Sequence, residues 1–208
     1  MKSYLLGVTG GIASGKSSVS RLLSSYCKVP LVDVDQCCRR LLELNQSGWL
    51  ALRAVLGNSF FLQSGELDRS ALRDHLFGDA DFRRQVDAVL HPLAREAMQR
   101  EVALCKAPFV LVEIPLLYEA DWQCDVDAVL VVFARRGAQC CRIMRRDGVV
   151  RKKAIQAIAA QMNLGEKAKR ADFLIDNSGR WSTTRELVIA LGVQLSERFP
   201  ERFCQESA

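Results

Sequence analysis

Gly10-Gly11-Ile12-Ala13-Ser14-Gly15-Lys16-Ser17 fills every fixed position of the pattern G-x-x-x-x-G-K-[ST]. No other stretch narrows the fold of this chain so far. The apolar run Tyr4–Val8 leads into it and a helical pattern from Lys16 to Tyr26 leads out, which is the strand–loop–helix setting the pattern requires. Each residue type has a physical reason. The glycines allow the turn and let backbone N–H groups close on phosphate oxygens. The helix that follows adds the partial positive charge of its N-terminus. Lys16 reaches the β- and γ-phosphates as a point charge, and the Ser17 hydroxyl suits Mg²⁺. Gly11 to Ser17 are therefore read as a binding site for a nucleoside triphosphate.

The rest of the chain fits a sheet around such a loop. Tyr4–Val8, Pro30–Val32, Phe109–Ile114, Ala128–Phe133 and Phe173–Ile175 are short apolar runs without alternation, the pattern of parallel strands buried on both faces. Helical periodicity fills the gaps. This predicts an α/β, doubly wound, parallel five-stranded sheet of the P-loop NTPase type. Two segments exceed a minimal crossover. Residues 35–91 read as a helical insertion. Residues 135–169, rich in Arg and Lys, read as a mobile helical lid. The nucleotide-binding core is then 1–34, 92–134 and 170–208. A helix is expected at the end of the insertion, over Asp79–Leu90, and another at the start of the following core segment, from Pro92 to Lys106, with a break at His91-Pro92.

Composition sets limits on function. The 208 residues are 49% apolar and 25% charged, which excludes a disordered or fibrous chain. A formal charge of +5 fits an anionic ligand and is too small to imply nucleic acid. The N-terminal apolar run stops at Thr9-Gly10-Gly11, too short for a signal peptide, and no run approaches a membrane span. The eight cysteines include no Cys-x-x-Cys, and His75 and His91 complete no zinc pattern, so they are read as reduced thiols of a cytoplasmic protein.

Carboxylates at strand ends are the next candidates. Asp33 closes the second strand, where a right-handed crossover sets it at the sheet edge that holds the loop. There it can orient an acceptor hydroxyl and take its proton. Asp35, two residues on, is read as the cap of the next helix. Glu113 ends the third strand, an arrangement that orders Mg²⁺ in Walker B sequences. A GTPase switch needs Asn-Lys-x-Asp, which is absent, and Asp176-Asn177-Ser178-Gly179 comes too late to be a switch segment. Arg142, Arg145 and Arg146 share a helix face, with Arg135 and Arg136 at its entry. A lid so charged stabilises transition-state charge and excludes water.

Leu6 to Ser17 together with Val32-Asp33-Val34-Asp35 resembles dephospho-CoA kinase. The resemblance continues in order through Gly65-Glu66-Leu67-Asp68-Arg69, Leu90-His91-Pro92-Leu93, Ile114-Pro115-Leu116-Leu117, Arg142 to Asp147, Ala159-Ala160-Gln161 and Ala171 to Asn177. It implies Mg-ATP-dependent phosphorylation of the ribose 3′-hydroxyl of dephospho-CoA, the last step of coenzyme A synthesis. It also implies Asp33 as base, with Lys16 and Arg142 catalytic, and Arg146 and Asn177 on ATP. The acceptor would be held by His91, Arg95, Leu116 and Leu117 with the helical insertion. His91 before Pro92 would stand at a helix N-terminus. Ala13 replaces the family's usual loop glycine, with helical or extended angles expected, and Ala157 replaces a frequent lid Arg. Another small-molecule P-loop kinase is the runner-up; the size of the insertion and the Leu-His-Pro element argue against it.

Overall fold

The computed structural model describes residues 2–203. The chain divides into two compact units, one of Met1–Asp33 with Cys105–Ala208 and one of Val34–Leu104.

The first unit is an α/β layer structure. Its strands are β1 (Tyr4–Gly10), β2 (Leu31–Asp33), β3 (Phe109–Glu113), β4 (Ala128–Phe133) and β5 (Phe173–Asp176). All pair in parallel, in the order β2-β3-β1-β4-β5. Burial on both faces explains the continuous apolar runs of the central strands, as in β3, where every residue is buried; the edge strand β5 departs from the expectation, with buried and exposed residues alternating and Leu174 exposed. On one face, Leu6, Val8, Phe109, Leu111, Leu130, Val132, Phe173 and Ile175 pack with Val19 and Leu23 of α1 (Lys16–Cys27). Val188, Leu191 and Leu195 of α9 (Trp181–Arg198) complete that core. Between β4 and β5 lie α6 (Arg136–Asp147), α7 (Arg151–Ala159) and α8 (Leu164–Lys169). α7 ends at Ala159, and Asn163 caps the separate α8 by accepting the Gly165 N–H at 2.8 Å. A last short helix, α10 (Pro200–Phe203), follows α9.

β2 is not the immediate neighbour of β1. β3 lies between them, with Asp33 level with Glu113 and Glu113 level with Val8. The ends of all three strands thus open on one edge of the sheet.

The second unit is helical, with α2 (Val34–Leu41), α3 (Ser47–Leu56), α4 (Arg69–Gly78) and most of α5 (Ala80–Cys105). Its core is Trp49, Leu52, Leu67, Leu72 and Val86. The Gly65–Arg69 element serves this fold. Gly65 turns with φ 83°, and its carbonyl accepts the Trp49 indole N–H at 2.9 Å. Asp68 caps α4 through the Ser70 and Ala71 N–H groups.

Two expectations are corrected here. The break at His91-Pro92 does not occur: α5 runs through Pro92 for 26 residues, although Pro deprives the Ala88 carbonyl of its helical donor. Buried Val86 before the proline and Ala94 and Met98 after it keep both halves anchored. His91 is therefore mid-helix, on one face with Asp87, 3.7 Å away, and not at an anion-attracting N-terminus. Asp35 is no cap either, because α2 begins at Val34 and Asp35 lies in its first turn.

Candidate active site

The loop between β1 and α1 is built as its sequence demands. Gly15 has φ 89° and leads into α1 with no side chain capping the helix, so the donors of the first turn face the loop. A Cβ on Gly10 would stand 2.7 Å from the Val132 carbonyl and 2.5 Å from the Ser14 hydroxyl, so only glycine fits. Ala13 adopts φ 55°, the left-handed region, in place of the helical or extended angles expected. Its methyl packs with Ile12 against Cys140, Ile143 and Ala154 of α6 and α7. That contact offsets the strain of the backbone.

Lys16 and Ser17 converge on Glu113. The Lys16 ammonium pairs with Glu113 Oε1, and the Ser17 hydroxyl donates to the same oxygen at 2.5 Å. Glu113 is buried. Burial pushes its carboxyl up, but the Lys16 ammonium and hydrogen bonds from Lys16, Ser17 and Ser20 prevail and hold it below the usual carboxylate range. Glu113 thus stays ionised beside two residues of the loop, Lys16 and Ser17. The Ser17 hydroxyl gives its hydrogen to Glu113, which leaves its lone pairs available to a cation. Two hard oxygen donors in contact are a chemical fit for Mg²⁺.

The basic residues part company. The Arg142 guanidinium is turned onto the loop, donating to the Ala13 and Ser14 carbonyls at 3.2 Å each and to the Asn177 carbonyl at 2.7 Å. Asn177 Nδ2 donates to the Ser14 carbonyl at 2.7 Å, and Asn177 Oδ1 accepts from the Thr184 hydroxyl at 2.9 Å. Arg142 and Asn177 therefore clamp the back of the loop. Arg146 faces solvent and forms a two-pronged pair with Asp147 at 2.7 and 2.9 Å.

The inner face of the 135–169 segment is fastened to the loop. Gln139 donates to the Ile12 carbonyl at 2.8 Å, and Gln161 accepts the Ile12 N–H at 2.7 Å. Lys167 reaches Gly10. Gln139, Lys167 and Glu119, whose carboxylate accepts the Met162 N–H at 3.1 Å, were not singled out from sequence, because each acts across a long separation that local spacing does not encode. Gln161 stands within a quoted element, without a role. A cleft of about 450 Å³ lies between Gly11, Phe133, Gln139, Gln161 and Leu164.

Of the two leucines after Pro115, Leu116 is 45% exposed and Leu117 is fully buried. Leu117 Cδ1 sits 3.0 Å from the place a Cβ on Gly7 would take. Leu117 is thus a core residue next to β1, and only Leu116 is open to a ligand. His91 and Arg95, one helical turn apart on α5, belong to the helical unit.

Comparison with known proteins follows the same lines. A family model described as dephospho-CoA kinase matches residues 4–183. The dephospho-CoA kinase of Latilactobacillus sakei is 39% identical over 180 residues, covering 85% of this chain and 88% of that relative. That of Geobacter sulfurreducens is 37% identical over 199 residues, covering 94% and 99%. Among solved structures, TT1252 from Thermus thermophilus superposes with a TM-score of 0.80 at 32% identity, covering 95% of this chain and 98% of that one. A dephospho-CoA kinase from Campylobacter jejuni, at 21% identity and covering 95% and 99%, shares the fold with a TM-score of 0.70. The ordered elements from the phosphate loop to Asn177 thus have their counterpart in one family, and the chain belongs to the dephospho-CoA kinases.

Proposed function

We propose that this chain transfers the γ-phosphoryl group of ATP to the 3′-hydroxyl of the ribose of dephospho-CoA, completing coenzyme A. The observation that carries this reading is the family match over residues 4–183, which takes in the phosphate loop and the helical unit together. A phosphate loop alone would fit many acceptors.

Lys16 supplies its ammonium to the β- and γ-phosphates, in competition with Glu113. Asp33, at the end of β2 and level with Glu113, orients the acceptor hydroxyl and takes its proton late in the transfer. Phosphoryl transfer is loose, so the nucleophile needs placing more than it needs early deprotonation. Arg142 acts through the backbone of Ala13 and Ser14, keeping the loop in shape. Arg146 exchanges Asp147 for phosphate oxygens, and Asn177 holds the loop where the nucleotide rests. Ser17, with Glu113, would hold Mg²⁺, which supplies neutralisation of charge on the triphosphate when bound. His91, Arg95 and Leu116 contact the acceptor. The described cysteines form no disulfide, and no described helix is long and apolar enough to cross a membrane; the enzyme is proposed to work on small molecules in the cytoplasm.

The test is ATP consumption with Mg²⁺ against a panel of dephospho-CoA, nucleosides, shikimate and gluconate. Turnover with dephospho-CoA, and little ATP loss without an acceptor, is expected. Comparable turnover of a nucleoside, or nucleotide binding without any acceptor-dependent turnover, would replace the reading with the runner-up kinase or with a switch.

A further inference from the structure

Among the described residues, Lys167 on α8 is a cation with no exposure to solvent. Burying an ammonium is expensive unless it is paired and hydrogen-bonded, so its partners indicate what it is for. Its Nζ lies 2.7 Å from Glu119 Oε1 and 3.4 Å from the Gly10 carbonyl. Gly10 is the last residue of β1 and the first of the phosphate loop. Glu119 is not spent on Lys167 alone, because the same Oε1 accepts the Met162 N–H at 3.1 Å. Met162 follows Gln161, whose side chain takes the Ile12 N–H. Gln139 closes the arrangement at the Ile12 carbonyl. The first turn of the loop, residues 10–12, is thus held by three side chains from the 135–169 segment. Lys167 alone of the three carries charge.

We propose that Lys167 is a positioning residue of the phosphate site. Its buried ammonium, oriented by Glu119, fixes the Gly10 carbonyl and adds a positive charge beneath a loop that must receive a triphosphate. Two consequences follow from the geometry. A chain in which both charges of the pair are removed recovers its packing but not this fixation, since Glu119 serves to orient the ammonium and the ammonium serves the loop. The seating of α8 and the affinity for triphosphate are also coupled, because one side chain sets both.

This rests on the reading of residues 10–17 as the triphosphate cradle. Binding of a non-hydrolysable ATP analogue to the unaltered protein checks that reading separately. The experiment compares Lys167→Met, Lys167→Arg, Glu119→Gln and the double variant Lys167→Met/Glu119→Gln in the full chain. Melting temperature, affinity for the analogue, and kcat with KM for each substrate are read for every variant. Lys167→Met should lose stability and bind the analogue about 10- to 100-fold more weakly, the range for one charged hydrogen bond. The double variant should regain most of the melting temperature, because no charge is left buried alone, and should remain as weak for the analogue. Its KM for dephospho-CoA should move by less than about threefold. Lys167→Arg, which keeps the charge and reaches both partners, should bind the analogue within about threefold of the unaltered protein. Recovery of affinity together with stability in the double variant would show Lys167 to be structural only. So would a folded Lys167→Arg protein as weak as Lys167→Met. Should the double variant fail to fold, the Lys167→Arg arm decides alone.

Discussion

The two units of this chain spend their buried side chains differently. Thr9, Ser14, Ser20, Glu113, Gln139, Lys167, Asn177 and Thr184 are the buried polar and charged residues among those described, and every one belongs to the α/β unit. The buried core of the helical unit is hydrophobic: Trp49, Leu52, Leu67, Leu72 and Val86. Its recurring polar features, the Trp49–Gly65 bond and the Asp68 cap, finish turns and helix ends. Buried polar networks are costly where half-satisfied and specific where complete. Their concentration around residues 10–17 marks the part of the molecule whose shape must be exact for chemistry. The helical unit needs only to fold and present a surface. Substitutions of the buried polar residues of the first unit should therefore change turnover out of proportion to stability, and those of the buried core residues of the second unit the reverse.

The strongest way to break this contrast is at Lys16. Lys16→Ala removes the charge proposed to meet the phosphates, and kcat/KM should fall by about three orders of magnitude. It also leaves the Glu113 carboxyl buried without its main partner, so stability should drop by about 3 kcal/mol. Adding Glu113→Gln should return most of the stability and none of the activity. Thermal melts and steady-state assays on both variants check this. A double variant with near-normal turnover would show that the Lys16–Glu113 pair is structural.

Asp33 should give a comparable loss in turnover with almost none in stability. Asp33→Asn keeps size and one acceptor oxygen while losing basicity, so kcat should fall roughly 10²- to 10⁴-fold. Affinity for the ATP analogue should stay within a few-fold, because the role proposed for Asp33 is toward the acceptor. Asp35→Asn, in the first turn of α2, loses a favourable charge at a helix start, worth about 0.3–1 kcal/mol, and should turn over almost normally. If Asp35→Asn is the inactive variant, the two roles are reversed.

Leu52→Ala tests the other side of the contrast. Leu52 has no exposure and sits among Trp49, Leu67, Leu72 and Val86, so the cavity should cost about 2–5 kcal/mol. Hydrogen exchange should quicken across residues 34–104. The ATP analogue should bind within about twofold of normal, as expected for independent sites in separate compact units. Weakened analogue binding in a folded Leu52→Ala protein would mean that the two units do not divide the work as their buried residues suggest.

How much of this was legible beforehand depended on range. The central strands could be read from sequence because parallel strands buried on both faces leave unbroken apolar runs, as Phe109–Glu113 does; the edge strand Phe173–Asp176 gave an apolar run although only one of its faces is buried. The phosphate loop was legible because its chemistry is packed into eight consecutive residues. Pro92 misled because proline is a local signal, and the burial of residues on both sides of it overrides that signal. Leu117 misled because its element was quoted as a unit, while only the neighbouring Gly7 reveals that one of its two leucines fills the core. Gln139, Glu119 and Lys167 were missed because their partners, Ile12, Met162 and Gly10, lie far off in the chain. No spacing rule carries a contact of that kind.

Ala13 offers the finest test, since there the two kinds of term nearly cancel. The left-handed angle costs an alanine about 1 kcal/mol relative to glycine, so Ala13→Gly relieves strain. Glycine loses more backbone freedom on folding, which returns about 0.5–1 kcal/mol. Losing the methyl from its contact with Cys140, Ile143 and Ala154 returns up to about 0.8 kcal/mol. The sum runs from about 0.5 kcal/mol of gain to about 0.8 kcal/mol of loss, so the net change lies within about 1 kcal/mol of zero. The Arg142 bonds to the Ala13 and Ser14 carbonyls involve only backbone of the loop, so they survive the change and affinity for the ATP analogue should stay within about threefold. Urea unfolding and analogue titration of Ala13→Gly measure both quantities. A gain above about 1.5 kcal/mol would mean that the methyl contributes no packing and that the loop carries the alanine as plain strain. A loss above about 2 kcal/mol would make the contact between Ala13 and the α6–α7 cluster a principal anchor of the loop, alongside Arg142 and Lys167.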